Sequence, residues 1–146
     1  MTLEIRPIEN DDKPAWAPLW RAYLAFYETS VPETVEDTTF ARLTSPDHPA
    51  QNGLLALHEG QVAGLVHFIY HPHNWRIEPV CYLQDLYVAK DARGCGAGRT
   101  LIEAVYARAD QDGCPSVYWT TQDFNTTARQ LYDRIGTLTP FIKYTR

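Results

Sequence analysis

The amino-acid sequence predicts a mixed α/β (α+β) domain, a central mixed sheet flanked by helices, filling residues 1–146 as a single domain. Three observations lead there. Apolar periodicity switches between two and about 3.6 in the order β-α-α-β-β-β-α-β-α-β. Three of those strands are consecutive, which a doubly wound parallel sheet does not allow. Finally, the glycine-rich stretch "RGCGAG" at residues 93–98 separates an apolar strand from an apolar-striped helix. A helix start of this kind is a ready anion site, because its first N–H groups lack partners and lie at the positive end of the helix dipole.

Taken in order, "LEIRPI" (3–8) alternates and reads as the first strand. Residues 16–29 carry Trp16, Leu19, Trp20, Tyr23, Leu24 and Tyr27 at helical spacing, with Asp11 or Asp12 as cap and Pro14 early in the helix. A second helix is expected over 33–44, ended by the Ser-Pro-Asp turn at 45–47. Residues 53–71 read as a hairpin turning at Glu59-Gly60, and "PVCYLQDLYVAK" (79–90) as a third, largely buried strand. The glycine loop opens a helix over 97–111, whose Leu101, Ile102, Val105 and Ala109 form the buried stripe. "SVYWTTQ" (116–122) is the next strand. A helix over 125–136 follows, capped by Asn125 and ended by Gly136, and "TPFIKYT" (139–145) closes the sheet.

Composition narrows the function. A 45% hydrophobic and 12% aromatic content argues for a packed core rather than disorder. The net charge of −5 and the lack of a basic run give no support to nucleic-acid binding. No apolar run has the length of a membrane span, and the first residues lack signal-peptide features. Cys81, Cys95 and Cys114 are odd in number without CxxC spacing, as expected of free thiols in the reducing cytoplasm. His71-Pro-His73 offers two nitrogens without a third ligand, so no metal is expected.

Neither of the commonest glycine phosphate loops fits "RGCGAG". The dinucleotide fingerprint needs G-x-G-x-x-G after an early strand, and the P-loop needs Gly-Lys-Ser/Thr. Taken alone, the spacing also suits a turn that merely packs a helix on a strand. The neighbouring residues carry more. Arg93, Gly96 and Gly98 form an R-x-x-G-x-G pattern after "YLQDLYV" and before "LIEAVYARA", and "NTTARQLY" follows as N-x-x-A-x-x-x-Y. These motifs resemble the GNAT superfamily of acyl-coenzyme A N-acetyltransferases. The resemblance is clear over residues 53–136. "CYLQDLYV", "VYWTTQ" and "N..AR.LYD" are similar to its polyamine, histone and D-amino-acid acetyltransferase subgroup.

The resemblance implies that acetyl-CoA is the co-substrate. Its pyrophosphate would meet the backbone of Gly94, Cys95, Gly96, Ala97 and Gly98, with Arg93 and Arg99 available for phosphate oxygens. Leu86, Tyr87 and Val88 would bind the pantetheine arm, and one of their N–H groups would polarise the thioester carbonyl. Asn125 and Ala128 belong to the same cofactor motif. Tyr132 matches the tyrosine near the thioester sulfur and is the candidate general acid; core packing is its alternative.

The base is less marked. A lysine-like amine with pKa about 10.4 costs about 4.6 kcal/mol to deprotonate at pH 7. By the resemblance a glutamate stands where this chain has Gln84, and glutamine cannot take that proton. Asp85 is adjacent and on the opposite face of a regular strand; it reads equally as the base or as a buried, satisfied carboxylate. A water chain ending at Asp85, Glu28 or bulk solvent is the further option. His67 either lines the amine pocket or sits in the core. Tyr27, Tyr23, Trp75 and Trp119 are candidates for an aromatic wall around a cation, with Tyr27 and Trp119 the two chosen. Cys95 is badly placed for an acyl relay, so direct transfer in a ternary complex is expected.

The expected function is acetyl transfer to a primary amine of a polyamine or amino acid by a cytoplasmic homodimer, paired through its C-terminal half. Neither nucleic acid nor membrane is an expected partner. Acetylation of basic protein tails, and a non-catalytic CoA-binding regulatory module, are the alternatives.

Overall fold

At the tip of the predicted hairpin, Glu59 and Gly60 have φ of 52° and 79°. Both central residues of a type I′ turn require positive φ, and the turn's twist matches that of the strands it joins. It pairs His58 with Gln61 in the computed structural model, which describes residues 2–146. The hairpin strands, β2 (Gln51–His58) and β3 (Gln61–His71), form the middle of a five-stranded sheet in the order β1-β2-β3-β4-β5. Strands β1 (Leu3–Pro7) and β4 (Val80–Val88) flank them antiparallel, and β5 (Val117–Tyr118) adds to β4 in parallel.

Helices cover both faces. On one side, α1 (Lys13–Phe26) and α2 (Glu33–Leu43) bury Trp16, Trp20 and Phe40 against Ile8, Leu55 and Leu65. On the other, α3 (Ala97–Gln111) lays the expected stripe of Leu101, Ile102, Val105 and Ala109 on Leu54, Val66, Phe68 and Leu83. Helix α4 (Thr126–Ile135) packs beside it through Leu131 and Ile135. The two sheet faces thus hold separate apolar clusters, and the site described below lies where β4 meets both. Buried Glu36 on α2 is held by two 2.7 Å bonds from Arg21 on α1. That partner keeps its carboxyl below the usual carboxylate range and ties the helices together.

Strand β4 contains the irregularity that matters most. Its register on β3 runs from Gly64↔Val88 to His67↔Asp85 and resumes at Phe68↔Leu83, leaving Gln84 unpaired as a β-bulge. The extra residue inverts the alternation. Cys81 and Leu83 face α3, whereas Asp85 and Tyr87 face α1.

Four local expectations are corrected. The strand over 116–122 shrinks to Val117–Tyr118, because only Cys81 and Tyr82 of β4 pair with it. The tail "TPFIKYT" forms no strand, since so short a β5 offers it no edge; Phe141, Ile142 and Tyr144 are 80%, 76% and 87% exposed. The Asp12 side chain does not cap α1; it accepts from Arg6 and from the Glu9 N–H within a 3₁₀ turn. Asn125 does not cap α4 through its side chain, which donates to Thr121 Oγ1 at 3.4 Å. Gly136 ends α4 as expected, in an extended conformation (φ −143°). A Cβ there would come within 2.8 Å of the Trp119 ring, so glycine serves close packing at that position.

Candidate active site

The glycine loop delivers an open helix start. Gly94 and Gly96 have φ of +88° and +83°, and Gly96 is the residue that precedes α3. A Cβ at either would meet nothing within 4 Å, so backbone conformation alone demands glycine there. At Gly98 neither φ nor packing does: its Cβ would make ordinary 3.7 Å contacts with Leu131 and Val88. The first N–H to bond back within the helix is that of Thr100, to Gly96 O at 3.1 Å. Those of Ala97, Gly98 and Arg99 therefore lack intrahelical acceptors. Arg93 stands at the end of β4, its guanidinium 5.5 Å over the Tyr87 ring, while Arg99 pairs with Glu103 at 3.3 Å. Cys95 packs partly buried against the α3-side cluster. Three free N–H groups at a helix start and uncrowded glycines fit the diphosphate of a coenzyme A.

Next to the loop lies an unpaired strand edge. β5 pairs with β4 only at Cys81 and Tyr82, so the outer edge of Leu83 to Val88 is free. Ala89 N–H donates inward to Ala63 O at 2.7 Å. Alternation then turns the N–H groups of Val88 and Leu86 outward and that of Tyr87 inward. Backbone donors on a free edge can add an extended ligand as a further strand.

A cleft of about 360 Å³ opens at the far end of this edge. Tyr23 and Tyr27 come from α1, Tyr82, Gln84 and Asp85 from β4, and residues 120–122 and Lys143 complete the rim. The Tyr23 and Tyr27 rings meet edge to face at 5.2 Å. Burial and then the Asp85 charge push both hydroxyls upward, so they are neutral hydrogen-bonding groups at pH 7. Asp85 Oδ2 lies 2.8 Å from His67 Nδ1 and accepts from Trp20 Nε1–H at 3.2 Å. Oδ1 accepts no bond from a buried donor among the described residues; it opens on the cleft, where the Tyr23 hydroxyl lies beside the carboxylate. Asp85 and Lys143 are the opposite charges of this lining.

Tyr132 lies behind Tyr27. Its ring packs edge to face on Trp119 at 5.5 Å, and its hydroxyl has no hydrogen-bond partner among the described residues. Burial, then the nearby Tyr27, push its pKa up to about 12. A thiol has an ordinary pKa of about 8.5. Complete proton donation to a thiolate is then uphill, and Tyr132 is suited to stabilise that sulfur by hydrogen bonding. Ala128 lies half-buried on α4 and Asn125 just before it.

Several expected residues fall elsewhere. Glu28 is exposed at the end of α1 in the left-handed region (φ 58°) and does not line the cleft. His67 is buried behind Asp85 rather than lining the cleft. Trp119 packs between Tyr132 and Tyr106, and Trp75 projects into solvent. Asp85 shares the cleft with Gln84 because the bulge turns both toward it; a regular strand would have put them on opposite faces. The cleft also takes in Tyr82, Thr120, Thr121, Gln122 and Lys143, none of them a candidate from the sequence. Tyr82 was findable as the residue two before Gln84 on the same strand; Lys143 was not, its segment having been read as a strand. Among the described residues no three His, Cys, Asp or Glu side chains converge on a metal position. No helix among the described residues is long and apolar enough to cross a membrane.

Comparison with known proteins decides the family. The model of the acetyltransferase (GNAT) family matches residues 16–137. The chain is 41% identical to the D-amino-acid N-acetyltransferase HPA3 of Saccharomyces cerevisiae, over 97% of this chain and 89% of that one. The chain belongs to the GNAT acetyltransferase family. As a GNAT protein it is an acyl-CoA-dependent N-acetyltransferase, and the open edge and glycine loop are the parts that fit the acyl-CoA. It is also 30% identical to an uncharacterized N-acetyltransferase, YhfO, of Bacillus subtilis, over 92% of this chain and 89% of the relative. The GNAT fold extends to more distant structures. The ribosomal-protein-alanine N-acetyltransferase of Brucella melitensis biovar Abortus 2308 matches at TM-score 0.83 and 21% identity, over 100% of this chain and 99% of that one. The aminoglycoside N-acetyltransferase AAC(6′)-Iy in complex with CoA matches at TM-score 0.84 and 18% identity, over 99% of this chain and 94% of that one.

Proposed function

We propose that this GNAT enzyme acetylates the amino group of a free amino acid, with acetyl-CoA as acyl donor and Asp85 as base. The observation that carries the reading is one small cleft bearing a carboxylate and a cation, Asp85 and Lys143. A zwitterion satisfies both, whereas a polyamine would meet Asp85 and be repelled by Lys143. The D-amino-acid activity in the name of the yeast relative supports the same class.

Acetyl-CoA supplies an activated thioester carbonyl on the free edge of β4. The ammonium enters the tyrosine-lined cleft and hydrogen-bonds to Asp85 Oδ1, which takes its proton. The outward N–H groups of Leu86 and Val88 lie along the edge where negative charge develops on the carbonyl oxygen. Gln84 offers an amide to the substrate, and Tyr132 donates a hydrogen bond to the departing sulfur. Arg93 and the helix start at Gly96–Arg99 hold the phosphates. Much of the acceleration comes from holding the two reactants together, since effective molarities reach about 10⁵ M and above.

Lys143→Glu tests the substrate class. It should lower kcat/KM for amino acids by about tenfold or more and raise it for spermidine, read by thiol release. Loss of neither preference would overturn the amino-acid reading. Tyr132→Phe should lower kcat about tenfold or more with little change in acetyl-CoA affinity. A wild-type kcat would remove Tyr132 from the reaction.

The exposed tail also supports a homodimer. Leu138, Phe141, Ile142 and Tyr144 present apolar surface that a second copy would cover. Light scattering should give twice the chain mass, and Phe141→Lys with Ile142→Lys should halve it; a monomeric wild type would exclude the pairing. A cytoplasmic location is supported by the free cysteines, and the acidic net charge supports no nucleic-acid partner.

A further inference from the structure

Behind the cleft, four side chains form a buried hydrogen-bonded chain, Trp16–His67–Asp85–Trp20, with residue exposures of 0%, 3%, 9% and 6%. We infer that His67 is a positioning residue, locked in one tautomer by Trp16, that aims Asp85 so that only Oδ1 meets the substrate amine. The inference rests on Asp85 acting as the base.

The direction of each bond follows from what the groups can do. An indole N–H donates and cannot accept. Trp16 Nε1 is 2.9 Å from His67 Nε2, so that nitrogen must be the bare acceptor. The ring hydrogen is therefore on Nδ1, which donates to Asp85 Oδ2 at 2.8 Å. Trp20 Nε1–H donates to the same oxygen at 3.2 Å. Both fully buried donors thus converge on Oδ2, which leaves Oδ1 to the cleft and the neighbouring Tyr23 hydroxyl. The bulge at Gln84 makes the arrangement possible, because it brings Asp85 to the His67 face of the sheet, directly opposite it in register.

The polarity of this chain has a chemical consequence. Both indoles and the imidazole donate toward the carboxylate. A proton that Asp85 takes from the amine cannot move on to His67 Nε2, because the Trp16 N–H already points at that nitrogen. It must leave through Oδ1 and the cleft. His67 therefore orients the base and does not relay its proton, unlike an outward-facing histidine steadied by an aspartate. Stacking holds the lock rigid: the Trp16 and Trp20 rings lie 5.1 Å apart, and their centroids are 5.8 and 6.1 Å from that of His67.

The test pairs a spectroscopic reading of the intact protein with kinetics. Long-range ¹H–¹⁵N correlation of wild type at neutral pH should show His67 protonated at Nδ1 and bare at Nε2. The opposite tautomer, or a doubly protonated ring, would overturn the lock. His67→Leu should lower kcat by up to about a hundredfold, the scale of an angstrom-level misplacement, with acetyl-CoA affinity unchanged. His67→Asn, whose amide can still donate toward Oδ2, should recover much of the loss. A merely structural histidine would show no such rescue, and its absence in a folded His67→Asn protein overturns the positioning role. A wild-type kcat in His67→Leu beside an inactive Asp85→Asn overturns that role alone. A wild-type kcat in Asp85→Asn removes the base reading and the role together.

Discussion

Asp85→Asn should abolish most turnover while leaving acetyl-CoA binding intact. The substitution keeps the size of the side chain but removes its ability to take a proton at pH 7. General-base assistance contributes about 10²–10⁴-fold, and kcat should fall within that range. In the proposed arrangement acetyl-CoA lies on backbone groups of the β4 edge and the glycine loop, while the Asp85 side chain points into the cleft, so the dissociation constant of acetyl-CoA should be unchanged by calorimetry. The alternative weighed for Asp85, a buried and satisfied carboxylate, predicts the opposite pattern: lowered melting temperature with kcat per folded molecule retained. The geometry favours the first outcome, because Oδ2 is satisfied inside the protein while Oδ1 is left open on the cleft. Proximity alone should sustain a residual rate, so the variant should remain faster than solution aminolysis of the thioester.

The second large effect belongs to the loop. Gly96→Val places a β-branched residue at φ +83°, in the left-handed region that costs an L-residue about 1–2 kcal/mol. The chain can relieve that strain only by re-orienting the first N–H groups of α3. The KM for acetyl-CoA should rise about tenfold or more, since each 1.4 kcal/mol is a factor of ten. Gly96→Asn is the informative control. Asparagine tolerates the left-handed region, and no neighbour lies within 4 Å of the position of a Cβ, so affinity should be largely kept. Equal losses in both variants would mean that the added side chain blocks the ligand itself, whereas unchanged KM in both would remove the loop from phosphate binding.

Much of the architecture was legible because local signals and tertiary packing agreed. The hairpin at Glu59-Gly60 and the stripe of α3 each had one physically sensible reading, and the molecule adopts it. The misreadings came where pairing partners decide. "SVYWTTQ" and "TPFIKYT" have strand composition, but a strand exists only where an edge accepts it, and β4 diverges after Tyr82. That divergence leaves free the outward N–H groups of β4 on which the proposed acyl-CoA site rests.

The site was half legible in the same sense. Glycines with an arginine at fixed spacing marked the open helix start, and Asp85 and Tyr27 both line the cleft. What no periodicity disclosed was the bulge at Gln84. It reverses the faces of everything beyond it, bringing Asp85 round to Tyr23, Tyr82 and His67. A glutamine where the family resemblance implies a glutamate looked like a lost base; the next residue, rotated by the bulge, offers a carboxylate in the same cleft. For His67 the sequence leaves pocket and core equally open, because a histidine on a central strand gives no sign of its neighbours. The structure sets it against the two tryptophans of α1, distant in sequence.

The most direct test of the account is thiol release by the purified protein from acetyl-CoA, with free D- and L-amino acids, spermidine and a basic peptide supplied one at a time. Turnover on free amino acids, well above that on spermidine or the peptide, is the predicted result. Turnover confined to spermidine or the peptide would contradict the reading of Asp85 and Lys143 as a zwitterion site. Tight acetyl-CoA binding without turnover on any amine would contradict catalysis itself.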